Sequence, residues 1–280
     1  MQEMRFLPVD ESVVTRWTRL ERFDFLHRLR TAPVADTELL HLSHYCPIII
    51  MLAEEGPRVA ALLDPAMLQS NPVGKDGRWL RPYAPIALRN LPFWPGARRA
   101  GIEVAPELVG ASADDGFPVR DREGRASEQY AAVVTWIERL QQGMRRLSEA
   151  AKLLIAADVL APLGRLQPGM LNAEETGYFT VSPDRLNALA ADRAAALSAD
   201  RCLPLDLAAA CLFSRRLLAR SVSLIAREPT SSGAPRENYS EFVEPLDLHV
   251  RLDSSPLFSF EIFESRAAAG DSRTDAHADA

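Results

Sequence analysis

Residues His44–Gly96 have the sequence HYCPIIIMLAEEGPRVAALLDPAMLQSNPVGKDGRWLRPYAPIALRNLPFWPG, and the predicted fold is built around them. Within it, two apolar runs, Pro47–Ala53 and Val59–Leu63, flank a polar Glu-Glu-Gly-Pro turn, which is typical of a β-hairpin. A loop with two glycines follows, and then a segment rich in aromatic residues, prolines and arginines between Trp79 and Trp94. We therefore expect a β-rich unit that carries this aromatic segment.

The composition excludes several functional classes. The chain has 280 residues, of which 47% are hydrophobic and 25% charged, as in an ordinary globular protein. That length allows one large domain or two modest ones. A formal net charge of −6 argues against a general nucleic-acid binder, which needs a basic surface, and against adhesion to an anionic membrane.

The distribution of apolar residues and cysteines bears on the compartment. No run reaches the ~18 consecutive apolar residues of a transmembrane helix, and the first residues lack the basic-then-apolar pattern of a secretory signal. The three cysteines, Cys46, Cys202 and Cys211, contain no close metal-type pair and suit a reducing compartment. We therefore expect a cytoplasmic protein. The alternative is a surface-associated protein with a non-cleaved signal in its acidic, alanine-rich C-terminal tail.

The N-terminal part of the chain is predicted to be partly helical. Residues 1–31 are interpreted as a helical extension because apolar residues recur at helical spacing from Val13 to Leu20, although Phe23–Phe25 also allows an extended segment. Three further elements are predicted before the midpoint: a short helix at 36–44 and strands at 101–105 and 117–120.

The second half of the chain has a helical pattern. Ser127 is predicted to cap a long helix that continues through Leu160 and stops at Pro162, with Gly143 as a candidate break. The elements predicted downstream are a strand at 178–181, a helix capped by Ser182, and a helix over 204–227.

These elements predict an α+β fold with one continuous core. A β-rich N-terminal half at 32–124 is expected to pack against a helical C-terminal half at 127–227. Residues 228–240 are interpreted as a linker, and 266–280 as a disordered tail. Because apolar and polar residues alternate in 241–265, that segment is predicted to add a C-terminal β-hairpin.

Five motifs follow one another in order through the first half of the chain. They are Pro47-Ile48, Asn71, Gly77 with Trp79, Tyr83 with Pro85, and Arg89 with Pro92-Phe93. In this order they resemble the SapC family of bacterial proteins. The resemblance extends downstream to cover residues 32–227, a SapC-like domain, and leaves 228–280 outside it.

The resemblance implies an accessory role without an assigned catalytic mechanism. The family takes its name from a bacterial surface-layer locus, and similar proteins accompany outer-membrane uptake receptors and flavin-dependent halogenase-like genes. We therefore expect a non-catalytic accessory or binding protein of unknown ligand, working alongside such an uptake or halogenase-like pathway. The alternatives are a surface-layer-associated structural protein and an enzyme of unrecognised class with a site near Tyr83 and Arg89.

The aromatic and arginine segment is the candidate binding site. Aromatic rings give rigid contact area, and arginine offers a planar fork of hydrogen-bond donors. The predicted ligand- or partner-binding residues are Trp79, Tyr83, Arg89, Phe93 and Trp94. Alternatively, the rings close the β-core and the arginines stay solvated. A protein or peptide partner is expected, whereas the oligomeric state is left open.

Two other constellations do not predict chemistry. Glu38, His41 and His44 only partly share a helix face, so they are interpreted as surface or capping residues and not as metal ligands. Cys46 near His44 lacks a third, orienting group and is interpreted as inert packing. The sequence has no glycine-rich phosphate loop and no nucleophile elbow. No catalytic residue, metal or cofactor is therefore predicted.

Overall fold

The computed structural model describes most of the first 225 residues. The described ranges are 4–9, 14–96, 101–109, 116–166 and 173–225.

The chain divides into two compact units, Met1–Ser232 and Gly233–Ala280, and all the described residues belong to the first. The linker predicted at 228–240, the hairpin at 241–265 and the tail at 266–280 lie outside the described residues.

The strands of the described part are mostly short. They are β1 (Leu7–Pro8), β2 (Arg16–Trp17), β3 (Thr31–Pro33), β4 (Ile48–Ala53), β5 (Gly56–Leu62), β6 (Phe93–Pro95), β7 (Ile102–Val104), β8 (Phe117–Pro118), β9 (Leu160–Leu166), β10 (Ala173–Val181) and β11 (Val222–Leu224).

One long helix dominates the helical part. The helices are α1 (Leu26–Leu29), α2 (Leu39–Leu42), α3 (Ile86–Arg89), α4 (Glu128–Ala156), α5 (Pro183–Asn187), α6 (Ala191–Ala196) and α7 (Ala199–Ser214). Single 3-10 turns lie at Asp36–Glu38, Pro65–Met67, Pro106–Leu108 and Arg215–Leu217.

The predicted hairpin is present as β4 and β5, which pair antiparallel at the centre of the fold. Successive residues of a strand point to opposite faces of its sheet. Ile48 and Ile50 accordingly join one buried apolar cluster, whereas Ile49 joins another. Burial on both faces explains why β4 is an uninterrupted apolar run and does not alternate with polar residues.

Both halves of the chain contribute to one six-stranded antiparallel sheet, in the order β11-β9-β10-β4-β5-β3. The α+β fold is confirmed: the N-terminal half is β-rich, and the two longest helices, α4 and α7, come from the C-terminal half. The C-terminal half nevertheless supplies three of the six strands, so the halves are joined through the sheet as well as through packing.

Helix α4 begins as predicted and runs without a break. The Ser127 hydroxyl accepts a hydrogen bond from the Tyr130 backbone N–H at 3.1 Å, which caps the helix. A Cβ at Gly143 would lie 2.6 Å from a carboxylate oxygen of Asp36 and 2.9 Å from its backbone nitrogen. Gly143 is therefore not a break, and it allows α4 to approach the turn that begins at Asp36.

Three predicted helices are wrong in extent. Residues 1–31, predicted as a helical extension, form the strands β1 and β2 and the single turn α1 in the described part. The helix predicted to reach Leu160 ends at Ala156, and Pro162 lies within strand β9. The helix predicted over 204–227 ends at Ser214, and β11 follows it. Sheet pairing decides the last two cases, because β9 gains partners on both sides and β11 adds a strand at the edge.

A further apolar cluster, around Phe93, is separate from the two clusters on the faces of β4. Phe93 of β6 is fully buried there, and its ring makes an edge contact with Trp17 at 5.2 Å between centroids. Val133 and Ile137 of α4, together with Val104 and Val119, complete the cluster. This cluster anchors the small sheet β1-β7-β6 to the long helix.

Candidate functional site

A buried carboxylate joins two parts of the chain that are distant in sequence. Glu38 ends the 3-10 turn before α2, and only 2% of it is exposed. One carboxylate oxygen accepts the Ala35 backbone N–H at 3.3 Å. The other accepts the Tyr83 hydroxyl at 3.0 Å and the Ile86 backbone N–H, at the start of α3, at 2.9 Å. Glu38 does cap its own turn, but the prediction that it lies on the surface is wrong.

Tyr83 and Arg89 continue this chain of contacts to the surface. The Tyr83 hydroxyl donates to Glu38 and accepts a hydrogen bond from Arg89 Nη2 at 2.9 Å. The guanidinium carbon of Arg89 lies 4.9 Å from the Tyr83 ring centroid. Tyr83 is half-buried and Arg89 is exposed. The buried carboxylate therefore fixes the orientation of a ring and a cation at the protein surface.

Burial raises the pKa values of two acidic groups, the Glu38 carboxyl and the Tyr83 hydroxyl. It raises the pKa of Glu38, although the backbone N–H groups of Ile86 and Ala35, the Tyr83 hydroxyl and Arg89 oppose the shift. Burial also raises the pKa of Tyr83 to about 12, and the nearby Glu38 charge adds to that effect. The phenol thus keeps its proton at neutral pH and acts as a hydrogen-bond donor.

Trp79 holds the backbone of Tyr83 in place. Its indole N–H donates to the Tyr83 backbone carbonyl at 3.0 Å, and its ring lies 6.0 Å from Phe23. The preceding turn requires Gly77, because its φ is +81° and a Cβ there would lie 2.5 Å from the Asp24 carboxylate. The Gly-x-Trp motif therefore has a structural explanation in the approach of Asp24.

His41 of α2 and Tyr45, in the turn that follows α2, extend the site. The His41 ring makes an edge contact with Tyr83 at 4.6 Å between centroids, and the Tyr45 ring stacks on Tyr83 at 6.4 Å. His41 is exposed and Tyr45 half-buried. We call His41, Tyr45, Tyr83 and Arg89 the Tyr83 patch. Sequence reasoning missed His41 and Tyr45 as ring partners, although their i, i+4 spacing was an available signal.

The other two predicted site residues lie elsewhere. Phe93 is wholly interior, so its ring is closed to a partner. Trp94 is half-buried and stacks on Phe6 at 5.0 Å between centroids. The structure thus brings Tyr83 and Arg89 together, with Trp79 behind them, and separates Phe93 and Trp94 from them.

The side chains of His44 and Cys46 contact different partners. The His44 ring packs against Phe213 at 4.7 Å between centroids. Burial raises the pKa of the Cys46 thiol to about 11, and its polar neighbour is Arg81, 3.7 Å away. Arg81 also donates to the carbonyls of Tyr45 and Ser70, so it connects the turn after α2 with the segment around Ser70. Within the described ranges, no three His, Cys, Asp or Glu residues are grouped so as to hold a metal ion.

We expect one of the three cysteines to react in the folded protein. Cys202 is exposed, whereas Cys46 and Cys211 are buried, and burial raises their pKa values to about 11 and 12. Because the thiolate is the reactive form, a disulfide reagent should label one thiol per chain at neutral pH and three in denaturant. A Cys202→Ser variant should label none when folded. Rapid labelling of Cys46 in that variant would contradict this structure of the site.

This is therefore an α+β protein in which a buried carboxylate positions an aromatic and cationic surface patch. A family model described as SapC matches residues 13–220, and the chain belongs to the SapC family. No curated protein and no solved structure matches the sequence significantly.

Among the described residues, no helix combines the length and the apolar character needed to cross a bilayer.

Proposed function

We propose that this SapC-family protein is a non-catalytic accessory protein that binds a protein or peptide partner through the Tyr83 patch. One observation carries the proposal: Glu38 uses its buried carboxylate to hold Tyr83 and the start of α3 in place. The hydrogen bonds of Glu38 hold the half-exposed Tyr83 ring beside the exposed Arg89. This arrangement is in place before a partner arrives. Preorganised groups lose less conformational freedom when a partner binds.

The composition of the Tyr83 patch fits a protein interface. Tyrosine and arginine are enriched among the residues that dominate binding energies. The His41 and Tyr83 rings offer apolar faces, and Arg89 offers a cation with several N–H donors. A partner segment that presents a carboxylate beside an apolar side chain is complementary to this combination.

The enzyme alternative has one observation in its favour, the raised pKa values of Glu38 and Tyr83. Such shifts mark active sites, but buried structural networks produce them as well. Glu38 is only 2% exposed, and both of its oxygens already accept hydrogen bonds. A general base needs direct reach to the substrate proton. The geometry therefore favours a positioning role for Glu38.

We also propose a pathway and a cellular compartment for the protein. The resemblance supports an accessory role beside an uptake or flavin-dependent halogenase-like pathway, and three free cysteines support a reducing compartment, the cytoplasm. The surface-layer alternative requires the protein in the envelope or extracellular fraction. Fractionation of the native host distinguishes the two, because recovery in the envelope fraction would contradict a cytoplasmic helper.

Replacing both Tyr83 and Arg89 with alanine should abolish partner retention. If each contributes as a typical interface hot spot, the loss is about 2 kcal/mol per residue, or roughly 30-fold in affinity for each. The measurement is quantitative co-purification from the native host, followed by titration of the purified partner. Tyr83→Phe keeps the ring but frees the Glu38 oxygen, and should give an intermediate loss.

The chain offers a matched control for this experiment. Trp136 is 47% exposed, and the Arg139 guanidinium lies 5.4 Å from its ring centroid. The Trp136→Ala/Arg139→Ala double variant removes an equivalent aromatic and cationic pair from α4 and should retain the partner. Equal loss in both double variants, or undiminished binding by a folded Tyr83→Ala/Arg89→Ala protein, would refute the proposal.

A further inference from the structure

A cavity of about 350 Å³ lies beyond the end of α7, between the 3-10 turn at Arg215–Leu217 and strand β11. Its lining combines two kinds of side chain. The apolar residues are Leu163, Leu212, Leu218, Ala219, Val222 and Leu224, the charged residues are Arg215, Arg216 and Arg220, and Ser223 is the remaining one. No carboxylate is among the described residues that line it.

The backbone around this cavity is held from two sides. On one side, the Gln69 N–H donates to the Leu217 carbonyl, and the Ala219 N–H donates to the Met67 carbonyl, both at 2.9 Å. On the other side, the Leu166 N–H of β9 donates to the Ser221 carbonyl at 2.8 Å. The loop that carries the arginines is therefore fixed before any ligand binds, which lowers the entropic cost of binding.

The three arginines place three positive charges close together in the sequence of an acidic protein. They fall within six residues of a chain whose net charge is −6, and none forms an ion pair with a described residue. Arg216 is stacked, with its guanidinium carbon 3.6 Å from the Phe213 ring centroid. Stacking occupies the face of a guanidinium and leaves its N–H edge available for an anion. Unpaired like charges repel one another, and a bound anion relieves that repulsion.

We propose that this cavity binds an organic anion with a carboxylate or phosphate head and an apolar body. The fork of an arginine matches both head groups. The half-buried Leu212, Leu218 and Val222 beside the arginines can contact a short apolar body, a contact that a bare inorganic ion cannot make. This site lies outside the Tyr83 patch and does not depend on it.

The test uses the full chain and four probes: octanoate, octyl phosphate, octanol and inorganic phosphate. By isothermal titration we expect octanoate or octyl phosphate to bind saturably with a Kd below about 1 mM. Octanol, which lacks the charge, and inorganic phosphate, which lacks the apolar body, should each bind at least tenfold more weakly. Inorganic phosphate binding as tightly as octyl phosphate, or neither octyl anion binding, would overturn the proposal. The octyl anion that binds with the lower Kd shows whether the site prefers a carboxylate or a phosphate head group.

Variants separate binding from structural support. The Arg215→Gln/Arg220→Gln protein should bind the octyl anion at least tenfold more weakly. The Arg122→Gln/Arg145→Gln protein, which loses two exposed arginines elsewhere, should bind it as the wild type does. Without a probe, the cavity variant should melt no lower than the wild type, because relief of repulsion offsets lost contacts. A cavity variant that melts lower yet keeps full affinity would show that these arginines serve only the fold.

Discussion

Replacing Glu38 with alanine should lower the free energy of unfolding by about 3 kcal/mol or more. The substitution leaves three donors without their acceptor: the backbone N–H groups of Ala35 and Ile86 and the hydroxyl of Tyr83. A buried donor without a partner costs roughly 1–3 kcal/mol, with the lower values for groups that water can reach. Because Tyr83 and Ile86 are only half-buried, we place their contributions at the lower end. Urea denaturation followed by circular dichroism gives the measurement.

A surface glutamate provides the control. Glu149 lies on the exposed side of α4, where it pairs with Lys152 at 2.8 Å. Exposed ion pairs contribute little, so Glu149→Ala should change stability by no more than about 0.5 kcal/mol. Glu38→Gln should fall between the two alanine variants, because an amide keeps one acceptor oxygen and turns N–H groups toward the other donors. Equal effects of Glu38→Ala and Glu149→Ala would mean that the buried carboxylate does not hold the site together.

The same carboxylate should produce a pH dependence of known sign. Burial raises the pKa of Glu38 in the folded state, so over the interval between the unfolded and folded pKa values the folded protein binds more protons. The part of the stability that comes from this pKa difference is complete below the unfolded pKa and is lost as pH rises through the folded pKa. The difference in unfolding free energy between the wild type and Glu38→Gln should therefore decrease as pH rises through that interval. An increase would contradict the burial argument.

The sequence predicted the elements that local chemistry determines. The hairpin follows from two apolar runs around a turn, and the start of α4 follows from Ser127 as a cap. The end of α4 and the strand β9 were not predictable in the same way, because the apolar run near Leu160 fits a helix and a buried strand equally well. Pairing with β10 and β11 decides in favour of the strand, and such partners are not visible in a local window.

The site was predicted in part for a similar reason. Tyr83 and Arg89 could be selected from residue type alone, since ring and guanidinium groups make good contact surfaces. The role of Glu38 could not, because a glutamate among polar neighbours resembles a surface residue until its partner, 45 positions later, is placed beside it. Phe93 shows the opposite error. Its residue type suggests a contact surface, whereas its position in β6 turns it into the core.

Phe93→Ala should therefore cost stability and leave the Tyr83 patch intact. The ring is fully buried and lies 5.2 Å from both the Trp17 and Tyr130 rings, measured between centroids. Removing a buried phenylalanine side chain typically costs about 3–5 kcal/mol, because apolar contacts are lost and a cavity remains. We expect an unfolding free energy lower by that amount, measured by urea denaturation. Partner affinity of the folded fraction should be unchanged.

Phe117 is the matched control for this substitution, because it is also a phenylalanine beside Trp17 but is 40% exposed. Phe117→Ala should cost about 1 kcal/mol or less, since much of its ring already contacts water and little cavity can form. Phe93→Leu should lie between them, because leucine refills part of the space. If Phe93→Ala instead weakens partner binding while stability stays at the wild-type value, Phe93 belongs to the binding surface. The apolar cluster around Phe93 would then not be the anchor that joins the sheet β1-β7-β6 to α4.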